Sequence, residues 1–395
     1  MEGCPDAYDR PMTKSPYDWL PDRHLGAAAA LAHADEIIGQ LSDVLFPYQT
    51  TPDGVIGLRS EVVGDVVQTV VESVVAIPRK VPLLVADALV VLRNALEHAL
   101  FAEIEFLDGR LIEAAAKRVE IPAVTSRKDF DDWVKGRGKN APASLRAGST
   151  LVDRIELLQP YHDQSAPEQH PLARLVLHTN HAKHREPAVT AVRIAAMYDD
   201  ENRPNSIDAL PSLPEEPTRV GEVLGETPVG TQVPMTMFPT IGINRPGTDR
   251  WPVLFIELDE IFEWVRSDAL PRLITGGQPP QPPLPAHYEI SSGHDDERVE
   301  IAKGVGTSAA ARHAQRLVAA TARIDLAENI SDLVGGLSTS DLMRWLDHLA
   351  DHEVIERVDR LGERTHLPPD VRERYILRQL TKFRDEALAF MAGGA

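Results

Sequence analysis

Cysteine is almost missing from this 395-residue chain: Cys4 stands alone. A single thiol builds neither a disulfide framework nor a cysteine metal site, which fits a reducing, cytoplasmic setting. Aromatic residues make up only 5%, so the core has to come from Leu, Val, Ile and Ala. Positive charge is in deficit, with 41 Lys and Arg against 60 Asp and Glu and a net charge of −19. That balance excludes a broad, sequence-blind grip on nucleic acid, so any RNA contact must come from a local basic patch. No apolar run reaches the roughly 18–20 residues of a membrane span. The proline-punctuated start, with its Asp, Lys and Arg, is unlike a signal peptide. Also missing are a P-loop, a dinucleotide glycine fingerprint and a Gly-x-Ser-x-Gly elbow. Nucleotide-driven, redox and hydrolase-fold chemistry therefore lose ground, and no cofactor is expected.

What is present is an α+β pattern, mainly α. Residues 1–21 read as a loose arm. Apolar residues from Leu25 to Leu45 recur at helical spacing and predict a helix stopped by Pro47. The valine-rich stretch 55–77 predicts a β-hairpin. Residues 83–117 are rich in Leu, Ala and Glu and predict a long, central helix of a bundle. The stretch 121–150 is basic and glycine-punctuated and reads as loop. Short helices are expected at 151–158, 171–184 and 259–270, and strands at 188–197, 229–243 and 251–258. The run GGQPPQPPLP at 276–285 has the composition of a stiff linker. These features predict a core over 22–270, a proline-rich linker over 271–300 and a helical domain over 301–395. Three helices are expected at 307–333, 340–361 and 368–391, with Ser338, Thr339 and Ser340 as caps.

One hexapeptide stands out for chemistry: Arg93-Asn94-Ala95-Leu96-Glu97-His98, inside the long helix. A histidine near neutral pKa can move the proton of a ribose 2′-hydroxyl, and an arginine can stabilise a charged phosphorane, with no metal. Asn94 can orient either group. A five-residue step sets Arg93 and His98 about 140° apart around the helix. A tight pair therefore needs a second copy of the helix across a two-fold axis. In the competing reading, Arg93 and Glu97 form an i,i+4 pair facing solvent and His98 is a half-buried structural histidine. Arg360…His366 is a poorer copy of the same spacing.

Arg93-Asn94 followed by His98 resembles the signature of HEPN domains. The resemblance implies a helical fold, a homodimer, and for many members metal-independent ribonuclease activity in toxin–antitoxin, CRISPR and phage-defence systems. A wider resemblance covers roughly residues 80–190. The run from Leu83 to His98, then Leu158-Gln159-Pro160-Tyr161, then Lys183-His184-Arg185 is similar to a family of uncharacterised bacterial and phage proteins. Glu97 stands where that family typically carries an aspartate.

Two further clusters carry possible chemistry. His178, His181 and His184 are three apart, a spacing that can chelate metal, with His162 and His170 upstream, and they define a weaker alternative, a metal-dependent hydrolase. They fan over about 120° of helix, so four ligands cannot converge from that helix alone. Lys183, His184 and Arg185 read better as phosphate-positioning groups or as a charged helix end. The stretch from Arg127 to Arg146 surrounds Trp133 with basic residues, a pattern that can bind single strands. Asp129, Asp131 and Asp132 dilute that charge, and a solvated segment is the simpler reading.

The leading expectation is thus a homodimeric, metal-independent ribonuclease using Arg93, His98 and Asn94, with Lys183, His184 and Arg185 on the RNA. Its rival is a non-enzymatic helical assembly protein that meets a protein partner through the C-terminal helices.

Overall fold

A computed structural model describes residues 15–138, 141–202, 213–231, 233–363 and 368–393. The fold is α+β and mainly α. The chain divides into two compact units, 1–45 with 55–310 and 46–54 with 311–395. Cys4 and His366 lie outside the described residues.

In the first unit a 3-10 turn, Asp22–His24, leads into α1 (Leu25–Gln49), which buries Leu31, Ile38, Leu41 and Leu45. The helix runs past Pro47, where the sequence predicted a stop. Pro47 forfeits the one bond its own amide would make to the Asp43 carbonyl, and the helix ends two residues later. The expected hairpin forms from β1 (Ile56–Val63) and β2 (Val66–Val74), paired antiparallel. Its two-residue turn places Gly64 at φ +65°, which a side chain would strain.

The central helix is α2 (Lys80–Asp108). It ends at Gly109, φ +81°, short of residue 117, because a left-handed glycine stops the ladder. The short α3 (Glu113–Ala116) follows. The stretch expected as loop contains α4 (Arg127–Lys135). Ser126 Oγ caps it by accepting from Asp129 N at 3.1 Å, and Arg127–Asp131 and Lys128–Asp132 pair along one face. The charges that diluted a binding patch are spaced to stabilise a helix. Next come α5 (Thr150–Glu156) and α6 (Pro171–His184), the latter with Pro171 in its first turn as predicted.

Strand β3 (Thr190–Asp199) precedes β4 (Val223–Pro228) and β5 (Met235–Ile243). The strand β4 joins the hairpin in the order β1-β2-β4, and β3 pairs with β5 in a separate sheet. Residues 251–258, expected as strand, instead open α7 (Leu254–Trp264). A short apolar run fits either period, and here the helical continuation through residue 264 decides it. The helix widens into a π turn over Val265–Ala269 before α8 (Leu270–Thr275). That widening accommodates Pro271, whose ring and missing N–H do not fit an α-helical interior.

The proline-rich run is not a free linker. Leu284, Ala286 and Tyr288 are buried, and Arg266 donates to the Leu284 carbonyl. Apolar residues interleaved with the prolines give the segment something to bury, so the first unit continues through α9 (Glu297–Lys303) to residue 310. The end of the expected N-terminal arm is also docked: Tyr17 and Leu20 are buried, and Arg298 Nη2 donates to Leu20 O at 2.7 Å.

The second unit is helical, with α10 (Ala309–Leu333), α11 (Thr339–His348), α12 (Asp351–Gly362) and α13 (Pro369–Gly393). Ser338 caps α11. The single helix expected over 340–361 is two, because the chain turns extended at Leu349 and Ala350. The Ala350 amide, freed by that turn, is satisfied by Glu353 at 2.8 Å. Leu326, Ile330, Leu342, Trp345, Leu346, Leu380 and Phe383 form the core. Among the described residues, no helix is long and apolar enough to cross a membrane.

Candidate functional site

The apolar stripe of α2 fixes where Arg93 points. Leu92, Ala95, Leu96, Ala99 and Leu100 are buried, and α6 and α8 pack against the helix. Arg93 and Glu97, one turn apart, lie at the edge of that stripe and face α6. Arg93 Nη1 donates to Thr179 Oγ1 at 2.9 Å and to Asn180 Oδ1 at 2.7 Å. Its Nε lies 3.6 Å from Glu97 Oε1. The i,i+4 pair is therefore real, but it is turned into the α2–α6 seam and not to solvent. Among the described residues, Arg93 Nη2 has no partner.

Glu97 also accepts from Ile121 N at 3.5 Å. Burial pushes its carboxyl above the ordinary range, against the charge of Arg93, the Ile121 amide and the charge of Lys183. Lys183 on α6 thus stands within electrostatic reach of α2. The structure brings together Arg93, Glu97, Thr179, Asn180 and Lys183. It does not bring His98 to them. His98 is exposed and Asn94 half-buried, and neither makes a hydrogen bond or ion pair among the described residues.

The end of α6 is open. Lys183, His184 and Arg185 are exposed. Asn180, His181, His184 and Arg185 line a cavity of about 350 Å³ with Leu177, Pro246 and Gly247. The three histidines of α6 part ways. His178 is buried with Nε2 3.2 Å from Glu257, His181 lies 3.9 Å from Glu186, and His184 faces solvent. Among the described residues, no group of three or more His, Cys, Asp or Glu is placed to hold a metal ion. His178 is instead part of an ion network that the sequence reading missed.

That network centres on Glu257 of α7, 1% exposed. Its carboxylate accepts from Arg174 at 2.7 Å, from Arg245 at 3.0 and 2.7 Å, and from His178. Burial alone would raise the Glu257 pKa, but the bonds from His178 and Arg245 and the charges of Arg174 and Arg245 outweigh it and hold it at about 2. A signal existed: Arg174 interrupts the apolar positions Leu172 and Leu175 of α6, and a buried arginine needs a carboxylate. Which carboxylate was not readable, since Glu257 lies 83 positions away.

The start of α6 carries a titratable cap. His170 Nδ1 accepts from Leu172 N at 3.2 Å, and its ring meets Trp264 edge-on at 5.1 Å. Burial, then the Arg174 charge, lower its pKa to about 4, despite Asp163 and Asp268 nearby. A folded pKa below the ordinary 6.5 means that His170 stabilises the fold above pH 6.5, and that this contribution is lost as pH falls through about 4. In His170→Asn, which keeps a capping side chain without titrating, urea-derived stability is expected to fall less between pH 7 and pH 4 than in the unmodified chain. Parallel pH profiles would refute the assignment.

The basic stretch around Trp133 offers no free stacking platform. Trp133 stacks on Phe130 at 5.6 Å, and Arg137 covers its ring at 4.2 Å. The aromatic is spent inside the fold, which leaves the α2–α6 seam as the candidate site. No protein-family model, no curated protein and no solved structure significantly matches the chain.

Proposed function

We propose that the α2–α6 seam is half of a metal-independent endoribonuclease site of HEPN type, completed by a second copy of the chain. The observation that carries this reading is the anchoring of Arg93 Nη1 to Thr179 and Asn180, which fixes the guanidinium at the seam and leaves its Nη2 free to meet a phosphate. A guanidinium fixed by two bonds loses little further entropy on meeting a phosphate. Lys183, His184 and Arg185 hold flanking phosphates. His98 removes the 2′-hydroxyl proton, the 2′-oxygen attacks phosphorus, and the 5′-oxygen leaves with a proton returned by an imidazolium. The products are a 2′,3′-cyclic phosphate and a 5′-hydroxyl. Arg93 stabilises the charge that builds on phosphorus, and Asn94, on the face of His98, orients the imidazole or the sugar. Because His98 and Arg93 diverge around one helix, each catalytic set combines residues of both copies. A toxin or antiviral-defence role fits such an activity.

A second reading has its own support. Arg93 Nη1 is saturated by Thr179 and Asn180, as expected of an arginine that only joins two helices of an assembly module. RNA cleavage in EDTA separates the two. His98 is exposed, so His98→Ala should leave stability unchanged and lower the cleavage rate by about 10²–10⁴-fold. Arg93→Lys should lower cleavage strongly while keeping a positive charge. If the unmodified chain cleaves no RNA, or His98→Ala cleaves equally well, the ribonuclease reading fails and the helix-joining role of Arg93 stands.

A further inference from the structure

Among the described residues, no strand lies beside the outer edge of β1, and β1 is exposed on both faces from Leu58 to Val63. Leu58 is 41%, Val62 68% and Val63 49% exposed. An edge of this length is a template for another strand, and monomeric proteins usually blunt such edges with charged side chains or proline, which a partner must then match. Here the edge carries one charge of each sign, Arg59 and Glu61, bonded to each other at 2.9 Å.

The main-chain direction along β1 follows from its neighbours. In β2 the odd-numbered residues face β4: Val71 exchanges bonds with Glu222 and Gly221, and Val229 N donates to the Asp65 carbonyl just before the strand. The even-numbered residues Val66, Gln68 and Val70 therefore face β1, opposite Val63, Glu61 and Arg59. The amides and carbonyls of Leu58, Ser60 and Val62 are left pointing outward.

We propose that this edge pairs with the same edge of a second copy of the chain, antiparallel about a two-fold axis at Ser60. In that register Ser60 exchanges main-chain bonds with the partner's Ser60, and Leu58 with the partner's Val62. Arg59 falls opposite the partner's Glu61, and Glu61 opposite the partner's Arg59, at the non-bonded positions where side chains come closest. The neighbouring registers fail on charge. Sliding the strand by one bonding pair sets Arg59 against the partner's Arg59, or Glu61 against the partner's Glu61. The sequence Leu58-Arg59-Ser60-Glu61-Val62 is thus self-complementary in one register, and the product is a sheet continuous through both copies. A strand with this pattern selects its own copy over an unrelated strand, because both charges and both apolar positions are matched. This inference does not depend on the ribonuclease reading.

The test is sedimentation of the full chain over a hundredfold range of concentration, with circular dichroism as a folding control. The unmodified chain should sediment as a dimer. Arg59→Glu should weaken association at least tenfold, and adding Glu61→Arg should restore it, since the double variant is self-complementary again. Ser60→Pro removes an outward amide that β2 does not use, which an edge strand tolerates, and should weaken association at least as much as Arg59→Glu. A monomer throughout the range for the unmodified chain overturns the proposal. So does a dimer equally stable in Arg59→Glu and Ser60→Pro, which would place the two-fold contact on another surface and leave the ribonuclease reading intact.

Discussion

Glu257→Ala should destabilise the first unit by about 3–5 kcal/mol, the cost of leaving buried charges without their partner. Arg174, His178 and Arg245 all lose their acceptor in this variant, and all three are buried. Arg174 keeps Glu260 at 2.6 Å, whereas among the described residues the Arg245 guanidinium keeps only Gln169. Glu257→Gln retains an acceptor oxygen without the charge and should cost less. Urea denaturation followed by circular dichroism reads both values, and equal, sub-kilocalorie losses would show that the network is dispensable. The pH dependence has a definite sign. A folded pKa of about 2, below the ordinary 4.5, gives stability that is present above pH 4.5 and lost as pH falls toward 2. This loss lies below the His170 window, so acid should weaken the unit in two stages.

In the second unit the largest effect is expected from Phe383→Ala, at about 3–5 kcal/mol. Phe383 is 1% exposed, among Leu342, Trp345, Leu346 and Leu380. Truncation leaves a cavity bounded by α11 and α13, which pack on each other. The ring also lies under Arg357, 5.9 Å from its guanidinium carbon, while Arg357 reaches Glu386 at 2.8 Å. Faster amide exchange throughout α11, α12 and α13 is the expected signature. Unchanged exchange there would mean that the cavity closes by relaxation.

Much of the architecture was legible because local patterns carried it. The valines flanking Gly64 specified the hairpin, and the Leu and Ala stripe specified α2 as central. Pro171 marked the start of α6 at the correct residue. The failures share a physical cause. Pro47 does not stop its helix at once whereas Gly109 does end α2, and which of the two outcomes occurs is not encoded by residue type. The run 251–258 is apolar at both periods, so only its continuation settled it. The proline-rich run looked like a linker because composition reports stiffness but not whether Leu284 and Tyr288 find a core.

The same division holds at the candidate site. Sequence spacing alone determined that Arg93 and His98 cannot meet on one helix, since a five-residue step turns them apart by about 140°, and that Asn94 shares the face of His98. It also placed Lys183, His184 and Arg185 together at a helix end. Only the tertiary structure decided that α6 packs beside Arg93, that Thr179 and Asn180 hold its guanidinium, and that His178 is bonded to Glu257. Those partners lie roughly eighty positions apart along the chain. A side chain's spacing fixes its direction on its own helix, whereas its partner is chosen by packing between helices, where buried charge must be matched wherever the chain can supply the match.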